Sequence, residues 1–443
     1  MNSAPEQVAG EARRGGILAW LQRSPYWRDV AWLASGTAAA QVINLAAMPV
    51  FSRLFSPADF AVQNLFVQLT LFLGVLITFR YEYLVKIPAR DVDAWQLMSL
   101  VVVLGGGATV LLTPIAWVFR TTFARWAGDA QLAPWMALLP VTAAATSLSV
   151  ALQHYTQRKQ QYGRSATGEI VGRVALAGTT LVGYFTLPGA GGLVLSGLGG
   201  PVAKIGWLLR VCDRRFQEQP ATHQSLAATH GRMGGSLVLS HFLLALSGII
   251  PLTYVAHAYG PTTLGQFAMA NGVVALPSSL VGNAIGDVFY QRAAQRWAEG
   301  KGFADIWRTT AAKLLIIGLP MYTIAGVAMP WAFPFVFGRQ WVEAGEFGSL
   351  LCIVGFLSFA SSPMGWANVV VDVDWYGPVW MVTRTVTAGV TVVLAMAWHL
   401  GARAFVIATV VQTGAMYLLD YWAKWRFSNR VPIAMEKPRE GAT

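Results

Sequence analysis

Long apolar runs recur along the whole chain, and they constrain its fold more than any other feature. A run of about 20 apolar residues is long enough to cross the hydrocarbon core of a bilayer as a helix. Inside lipid, only helices and closed barrels satisfy all of their backbone hydrogen bonds, and runs of this length are typical of helices. We predict twelve transmembrane helices, at 30–51, 61–79, 95–119, 132–153, 167–187, 190–209, 236–258, 263–286, 311–333, 346–370, 376–399 and 402–423.

The composition agrees with a membrane protein. Of the 443 residues, 55% are apolar and only 12% are charged, which is about half the charged fraction of soluble proteins. Residues 1–29 lack the apolar core of a cleavable signal peptide, so we expect a tail there rather than a leader.

The positive charges alternate between the predicted loops. The two termini and every second loop hold 23 Lys and Arg, whereas the loops between them hold 5 if Arg403, in the first turn of the last predicted helix, is counted with them. Because cytoplasmic loops carry the excess of Lys and Arg, we expect both termini in the cytoplasm. Basic loops beside anionic membrane lipids also account for the net charge of +11, so we expect no nucleic-acid partner.

The predicted helices form two similar halves. Pro57 and Pro261 mark a short turn after the first helix of each half, and the next helix then runs to a charged end. Such weak internal symmetry is typical of alternating-access transporters that bind substrate between repeated bundles. We therefore expect a cytoplasmic tail (1–29), an N-lobe of six helices (30–210), a cytoplasmic linker (211–235), a C-lobe of six helices (236–424) and a second cytoplasmic tail (425–443).

Motifs for covalent chemistry are absent from the sequence. It contains no P-loop, so we expect no ATP hydrolysis by the chain itself. Cys212 and Cys352 are too few for a disulfide framework, and the six histidines form no metal-binding motif. The glycines of "SGLGGP" (196–201) lie within an apolar helix and indicate close helix packing rather than phosphate binding. We expect neither an enzyme nor a protein with a cofactor or metal.

Three stretches carry a resemblance to a known family: "SRLFSPADFAVQNLFVQLTLFLGVLITFRYEYLVKIP" (52–88), "GQFAMANGVVALPSSLVGNAIGDVFYQRAA" (265–294) and "PFVFGRQWVEAGEFGSLL" (334–351). In order and spacing they resemble the polysaccharide flippases of the MOP exporter superfamily, the O-antigen-type transporters, over residues 30–425. Ala61 stands where relatives often carry Gly. The resemblance implies an all-α membrane protein with two pseudo-symmetric six-helix lobes around a central cavity, which is lined mainly by the first, second, seventh and eighth helices.

The resemblance also implies a function. Such proteins move undecaprenyl-pyrophosphate-linked oligosaccharide from the cytoplasmic to the outer face of the bacterial cytoplasmic (inner) membrane, for surface polysaccharide biosynthesis. The expected partners are that lipid-linked substrate, membrane lipids and a polysaccharide polymerase machinery. O-antigen, capsule and exopolysaccharide units all remain open as the glycan. The related lipid II flippases carry cavity arginines, one of which lies where Arg80 falls in this chain.

A flippase forms no covalent bond, but it has to offer a sugar and a pyrophosphate a polar path through lipid. Amide side chains suit the sugar, and the four helices that the resemblance places at the cavity carry them. We predict a substrate-binding set on these helices: Gln41, Asn44, Asn64, Gln68, His241, Asn283 and Asp287. Hydrogen bonding between helices explains such residues equally well, so both interpretations stay open for each of them.

Cationic side chains suit the pyrophosphate, because the planar guanidinium of Arg binds oxyanions through two parallel hydrogen bonds. We predict that Arg80, at the end of the second helix, points inward and receives the pyrophosphate. Glu82 and Lys86 are one helical turn apart, and we expect them to pair and to orient the rim of this site.

Four other cations lie within the predicted helices, where charge is costly. Lys204 and Lys313 lie near helix ends, and we expect their side chains to reach the membrane interface. Arg173 and Arg384 lie deeper, and each is either a substrate ligand or the partner of a carboxylate. Glu169, one turn from Arg173, is the candidate partner.

Two charged residues stand at the outer end of the first helix. Arg53 and Asp59 lie on either side of the predicted outer turn, and we consider them a candidate ion pair.

Two other functions are compatible with a many-helix chain. A cation-coupled multidrug antiporter of the same superfamily would need a carboxylate deep in the membrane, and we find none at mid-helix depth. A membrane polysaccharide polymerase or ligase would need a large outer loop, and the predicted outer loops are short. H⁺ and Na⁺ are both candidate coupling ions, with Asp287 and Glu82 as carriers and His241 as a proton sensor.

Overall fold

The structure is a computed structural model that describes residues 25–212, 222–373 and 375–430. Most of the predicted N-terminal tail, residues 213–221 of the predicted linker and the chain beyond residue 430 lie outside the described residues. Within the described residues the regular structure is helical throughout, without strands.

The long helices follow the predicted order. They are α1 (Pro25–Leu54), α2 (Pro57–Thr78), α3 (Asp91–Val118), α4 (Leu138–Arg158), α5 (Tyr162–Thr186), α6 (Gly191–Val211), α7 and α8 (the arms of His223–Ala298 before and after Gly260), α9 (Ala304–Phe337), α10 (Val342–Ser361), α11 (Tyr376–Ala397) and α12 (Ala402–Ser428). Short helices stand at Tyr81–Leu84, Arg120–Ala127 and Ala367–Val370, and 3₁₀ turns at Ala130–Trp135, Arg339–Trp341 and Ser362–Met364.

The predicted apolar runs follow the order of the helices, but their bounds differ. The tenth run (346–370) continues through the 3₁₀ turn and short helix after α10, and the fourth (132–153) begins in the 3₁₀ turn before α4. Several other helices begin before their runs. The start of α2 shows why. Asp59 accepts hydrogen bonds from the backbone N–H and hydroxyl of Ser56, and Ser56 Oγ accepts one from the backbone N–H of Asp59. This reciprocal cap starts the helix at Pro57, four residues before the predicted start, because a polar first turn carries no hydropathy signal.

The turn predicted between the seventh and eighth helices is a single break. Gly260 has φ 85° and ψ 168°, a conformation that is essentially restricted to glycine. Pro261 follows at the start of α8, and the helical hydrogen bonds resume at once. The sequence therefore places the turn correctly, and the structure makes it with one residue.

By length and composition, eight helical stretches among the described residues are long and apolar enough to cross a membrane. One of them, Leu237–Ser279, spans both arms around Gly260. The helices α1, α4 and α5 are not among the eight.

The chain divides into two compact units. Unit 1 comprises Met1–Phe51, Leu73–Phe119 and Trp135–Val238, and unit 2 comprises Ser52–Phe72, Arg120–Pro134 and Leu239–Thr443. The first sequence half therefore contributes two segments, the α1–α2 turn with most of α2 and the segment after α3, to the unit that contains the second half.

In unit 1, α5 and α6 approach each other through small residues. A Cβ added at Gly199 would lie 2.5 Å from Thr179 Cγ2, and one at Gly200 would lie 3.1 Å from the carbonyl oxygen of Gly172. The contact at Gly199 leaves no room for a side chain and the one at Gly200 is tight, so both glycines are packing residues. This confirms the interpretation of the stretch at 196–201.

Candidate functional site

The backbone turns sharply where α2 ends in unit 1. Phe79 (φ 48°) and Arg80 (φ 59°) are both left-handed, and the short helix Tyr81–Leu84 follows. Two successive non-glycine residues in this region cost about 1–2 kcal/mol each. Such strain persists only where the surroundings hold it, and it is characteristic of functional sites.

Two contacts hold this turn in place. Leu84 and Val85 are fully buried in an apolar core formed by α3, α4 and α6. From the end of α4, Arg158 donates hydrogen bonds to the backbone carbonyls of Lys86 and Ala89 and to the carboxylate of Asp91. The segment between α2 and α3 is therefore held rigidly against its own unit.

Arg80 and Glu82 form an incomplete ion pair at this turn. Arg80 Nη1 lies 3.2 Å from Glu82 Oε1, and the two side chains are 13% and 1% exposed. Arg80 Nε and Glu82 Oε2 are buried and have no hydrogen-bond partner. Because an unpaired buried polar group is costly, a further polar ligand at these two atoms would be stabilised. The expected Glu82–Lys86 pair is wrong, since Glu82 pairs with Arg80.

His154 and Tyr83 complete the immediate surroundings of the pair. His154 Nδ1 lies 2.8 Å from the carbonyl oxygen of Glu82, to which it donates, and its ring is 5.2 Å from the ring of Tyr83. The guanidinium of Arg80 lies over the Tyr83 ring, 5.4 Å from its centre. The stacking on Tyr83 orients the planar guanidinium.

A second polar group lies beside His154 in unit 1. Lys204 is 8% exposed, and its Nζ is 2.5 Å from Gln153 Oε1 and 2.6 Å from Glu169 Oε1. The expectation that Lys204 reaches the interface is wrong, because a buried ammonium has no water and therefore binds these oxygens. Of the two alternatives for Arg173, the pair with Glu169 does not form, because Glu169 is bonded to Lys204.

We name these groups the inner cluster: Arg80, Glu82, Lys86, His154, Gln153, Glu169, Arg173 and Lys204. The ring of His154 interacts electrostatically with Lys86 and Lys204, and Lys204 interacts with Arg173. Four cationic side chains face two carboxylates, so the inner cluster carries a net positive charge with His154 neutral. Among the described residues the Arg173 guanidinium has no hydrogen bond or ion pair. The inner cluster can therefore bind an oxyanion.

The predicted amide residues are divided between the units. Gln41 and Asn44, both half-buried, belong to unit 1, and Asn64 and Gln68 belong to unit 2. Asn64 Oδ1 is buried without a hydrogen-bond partner. A Cβ at Gly248 of α7 would lie 3.2 Å from Gln68 Nε2, so the Gln68 amide contacts that helix.

Of the other predicted site residues, His241 and Arg384 are half-buried and Asp287 is exposed, all in unit 2. The side chain of Asn283 lies outside the described part of the chain. Lys313 is exposed, but α9 begins at Ala304, so this residue lies more than two turns inside the helix rather than near its end. Its reach to the membrane interface stays a prediction. The substrate-binding roles of all these residues remain predictions.

At the α1–α2 turn, Arg53 does not pair with Asp59. Arg53 Nη2 instead donates to the carbonyl oxygens of Phe335 and Val336, at 3.3 and 3.1 Å. Asp59 instead accepts hydrogen bonds from the backbone N–H and the hydroxyl of Ser56, at the start of α2. The candidate pair is therefore wrong, because each residue finds a backbone partner at a helix end.

Sequence analysis did not single out a buried network near the end of α12. Asp420 and Lys424 are each 4% exposed and form an ion pair. Tyr376 donates to Asp420 Oδ1 at 2.6 Å, and Ser361 donates to Oδ2. Lys424 also donates to the carbonyl oxygen of Ser361 at 3.1 Å. The i, i+4 spacing of Asp420 and Lys424 is the signal that could have found it.

Comparison with solved structures identifies the fold. A MATE family multidrug resistance transporter of the MOP superfamily, in an inward-facing conformation, matches with a TM-score of 0.65 at 14% identity, over 88% of this chain and 94% of that one. The lipid II flippase MurJ, in an inward closed conformation, matches with a TM-score of 0.66 at 11% identity, over 89% and 90%. A MOP superfamily transporter from Pyrococcus furiosus matches with a TM-score of 0.59 at 15% identity, over 90% and 94%.

The fold is therefore that of the MOP superfamily transporters, and the predicted class, an all-α multi-pass membrane protein with twelve helices in two six-helix lobes, is confirmed. Residues 50–346 match the family described as polysaccharide biosynthesis protein, and the chain belongs to this family. Comparison with curated proteins finds no match.

Proposed function

We propose that the protein is a flippase that moves undecaprenyl-pyrophosphate-linked oligosaccharide from the cytoplasmic to the outer face of the bacterial inner membrane, by alternating access. The observation that carries the proposal is the combination of a polysaccharide biosynthesis family match over residues 50–346 with a transporter fold. Polysaccharide repeat units that are built on a lipid carrier inside the cell require such a step before they are assembled outside. We place both termini in the cytoplasm.

The inner cluster supports an anionic lipid-linked substrate. Arg80 Nε–H and the unpaired Arg173 guanidinium are donors for pyrophosphate oxygens, and a net positive charge in a region of low dielectric strengthens that attraction. Glu82 Oε2 is a free acceptor for a sugar hydroxyl. Gln41, Asn44, Asn64 and Gln68 offer further amide groups to the sugar.

The membrane potential supplies a driving force without ATP. Moving one elementary charge across 100 mV is worth about 2.3 kcal/mol, so two negative charges moving outward gain about 4–5 kcal/mol. An inside-negative potential therefore favours outward transport of a pyrophosphate.

A multidrug antiporter is the second candidate, because MATE transporters share the fold. Such an antiporter needs an intramembrane carboxylate that is free to bind a cation. The helix carboxylates of Glu169 and Asp420 are paired with lysines, Lys204 and Lys424. The buried carboxylate of Glu82 is paired with Arg80 through Oε1. This pairing favours the flippase.

A deletion strain tests the proposal. We would quantify the lipid-linked oligosaccharide pool and its sidedness in cells without the protein and in cells complemented with it. We expect deletion to trap the intermediate on the cytoplasmic face, because no other step then presents it to the outer machinery. Complementation should release it.

Two results would contradict the flippase. An unchanged pool in the deletion strain would rule out the glycan role, and increased drug sensitivity in that strain would favour the antiporter. A pool trapped on the outer face would point to a polymerase or ligase step instead. Protein level in each strain, measured by immunoblot, is the control.

A further inference from the structure

Within unit 2, the end of α1 caps the end of α9. Arg53 Nη2 donates to the carbonyl oxygens of Phe335 and Val336, and Ser52 Oγ donates to that of Phe337 at 3.1 Å. The last carbonyls of a helix have no partner within the helix, and a cation there is also favoured by the helix dipole. Residues of the first half therefore complete a helix of the second half.

In return, the 3₁₀ turn after α9 caps the end of α1. Gln340 Nε2 donates to the carbonyl oxygens of Ser52 and Phe55, and Trp341 Nε1 donates to that of Ser52 at 2.8 Å. These carbonyls belong to the end of α1 and the turn after it, and they too lack partners within the helix. Two helix ends, one from each half of the chain, thus cap each other.

Apolar packing closes this contact. Trp341 is fully buried, and its ring meets the ring of Phe60 edge to face at 5.1 Å. A Cβ added at Gly265, in the first turns of α8, would lie 1.7 Å from the carbonyl oxygen of Pro57. Only glycine permits this approach of the α1–α2 turn to α8.

The chemistry of the contact makes it releasable. Six of its hydrogen bonds join a side-chain donor to a helix-end carbonyl, and water replaces such a donor readily at an aqueous face. No buried charge is left behind on opening, because Arg53 is exposed. A permanent helix contact within lipid has no such replacement.

We propose that this reciprocal cap, formed by Ser52, Arg53, Gln340 and Trp341 with Gly265 beneath it, is the outer gate of the transport cycle. The cap is closed in the structure and opens when the substrate leaves on the outer side. This inference rests on the proposed alternating-access function and assigns its gate to particular residues.

Reactivity of a single buried cysteine tests the gate. Ser52 is fully buried and close in size to Cys, so we would place Ser52→Cys in a chain that carries Cys212→Ser and Cys352→Ala. In intact cells, a membrane-impermeant maleimide should label this position slowly. Gln340→Met keeps the side-chain size and removes both Gln340 hydrogen bonds, and we expect labelling about tenfold or more faster, the factor for two lost neutral hydrogen bonds.

Two matched variants keep the result interpretable. Trp331→Phe alters an exposed tryptophan of α9, the helix whose end Arg53 and Ser52 cap, and it should leave the labelling rate unchanged. Gly265→Ala opens the gate by steric contact rather than by loss of a hydrogen bond, and it should also accelerate labelling. Gly272→Ala, with nothing within 4 Å of the added Cβ, is its control.

Labelling does not depend on the identity of the substrate, so the two proposals can fail separately. Equal labelling rates for the parent, Gln340→Met and Gly265→Ala, with all three proteins at parental level in the membrane, would overturn the gate. If labelling is accelerated but deletion leaves the lipid-linked pool unchanged, the gate is supported and the flippase function is contradicted. Labelling only from the cytoplasmic side would overturn the gate's placement.

Discussion

At the scale of single residues, the structure gives Arg80 a setting that an interfacial anchor does not need. The residue is left-handed, mostly buried, stacked on Tyr83 and joined to Glu82 by only one of two available hydrogen bonds. A lysine anchor would require none of these features, because its ammonium is a point charge on a flexible stem. The shape of the guanidinium is therefore central to the role that we propose for it.

Replacing Arg80 with Lys tests that role. We expect Arg80→Lys to reduce outward movement of the lipid-linked oligosaccharide about tenfold or more, because the planar fork that binds an oxyanion bidentately is lost. The readout is the sidedness of the lipid-linked pool at matched protein level. Arg308→Lys, at an exposed arginine, is the control. Equal transport by Arg80→Lys and the parent would reduce Arg80 to an anchor.

A second residue makes stability depend on pH. Asp129, between α3 and α4, is 4% exposed, and its Oδ2 has no hydrogen-bond partner. Burial raises the pKa of the Asp129 carboxyl, and the charge of Asp59 adds to this effect. The raised pKa means that the folded state is favoured below the ordinary Asp pKa and loses this stability as the pH rises through the higher value.

Asp129→Asn should remove that dependence. We expect the variant to melt about 2 °C higher than the parent at pH 7, the shift for about 0.5–1 kcal/mol in a large chain. At about pH 4 or below the two proteins should melt alike, because the parent carboxyl is then protonated. Thermal unfolding in detergent at both pH values measures this. A constant difference across the pH range would show that packing, not ionisation, is responsible.

At the scale of elements, the helix contacts of unit 1 depend on the pair Lys204–Glu169. The pair joins α6 to α5, and Gln153 extends it to α4. Breaking a buried pair is costly because one charge stays behind unpaired. Removing Glu169 and removing Lys204 should not destabilise the protein equally, because the side chain of Lys204 is 10% exposed and that of Glu169 is 24% exposed.

Glu169→Gln should therefore destabilise more than Lys204→Met. The first change leaves the more buried charge without its carboxylate, and we expect a loss of about 3 kcal/mol, at the lower end for broken buried pairs. The second leaves a carboxylate that water reaches more easily, so the loss should be clearly smaller. Melting temperatures of both variants in the same detergent decide the order. The reverse order would mean that Lys204 is uncharged in the folded protein.

The break at Gly260 is the second element-scale feature. Nothing lies within 4 Å of a Cβ added there, so an alanine at this position differs only in backbone conformation. Gly260→Ala should cost about 1–3 kcal/mol, because φ 85° and ψ 168° is a region essentially limited to glycine. Gly272→Ala, in a helical conformation with equal space, should be neutral or stabilise by up to about 1 kcal/mol. Equal melting temperatures for the two variants would contradict the strain argument.

At the scale of the whole molecule, the family match and the fold both support the flippase that we propose, and its driving force is the next quantity to measure. An anionic substrate that moves outward gains energy from an inside-negative potential. In the function that we propose, the inner cluster is the cationic binding region for this anion, within a chain that contains few charges overall.

Ionophores should separate the potential from a proton gradient. In vesicles that contain the protein and a lipid-linked oligosaccharide, collapse of the potential by valinomycin with K⁺ should slow outward movement about tenfold or more. The driving force of about 4–5 kcal/mol for two charges is then lost. Nigericin, which collapses the pH gradient and spares the potential, should have little effect. A strong effect of nigericin alone would identify H⁺ exchange.

The sequence by itself determined the class, the order of the twelve helices and the position of turns such as the one at Gly260. Bilayer thickness, hydropathy and glycine conformation are local properties, and a single chain displays them directly. It also indicated that Arg80 is unusual, because Arg80, Glu82 and two tyrosines directly follow a long apolar run.

Only the tertiary structure decided which charges pair. Glu169 has two possible cationic partners: Arg173, one turn away on the same helix, and Lys204 on another helix. Which of them it pairs with depends on which helix faces meet. Likewise, Ser52 and Trp341 are 289 residues apart, and nothing local to either shows that one helix end caps the other. Contacts of this kind arise from packing geometry at the ångström scale, which hydropathy and spacing do not contain.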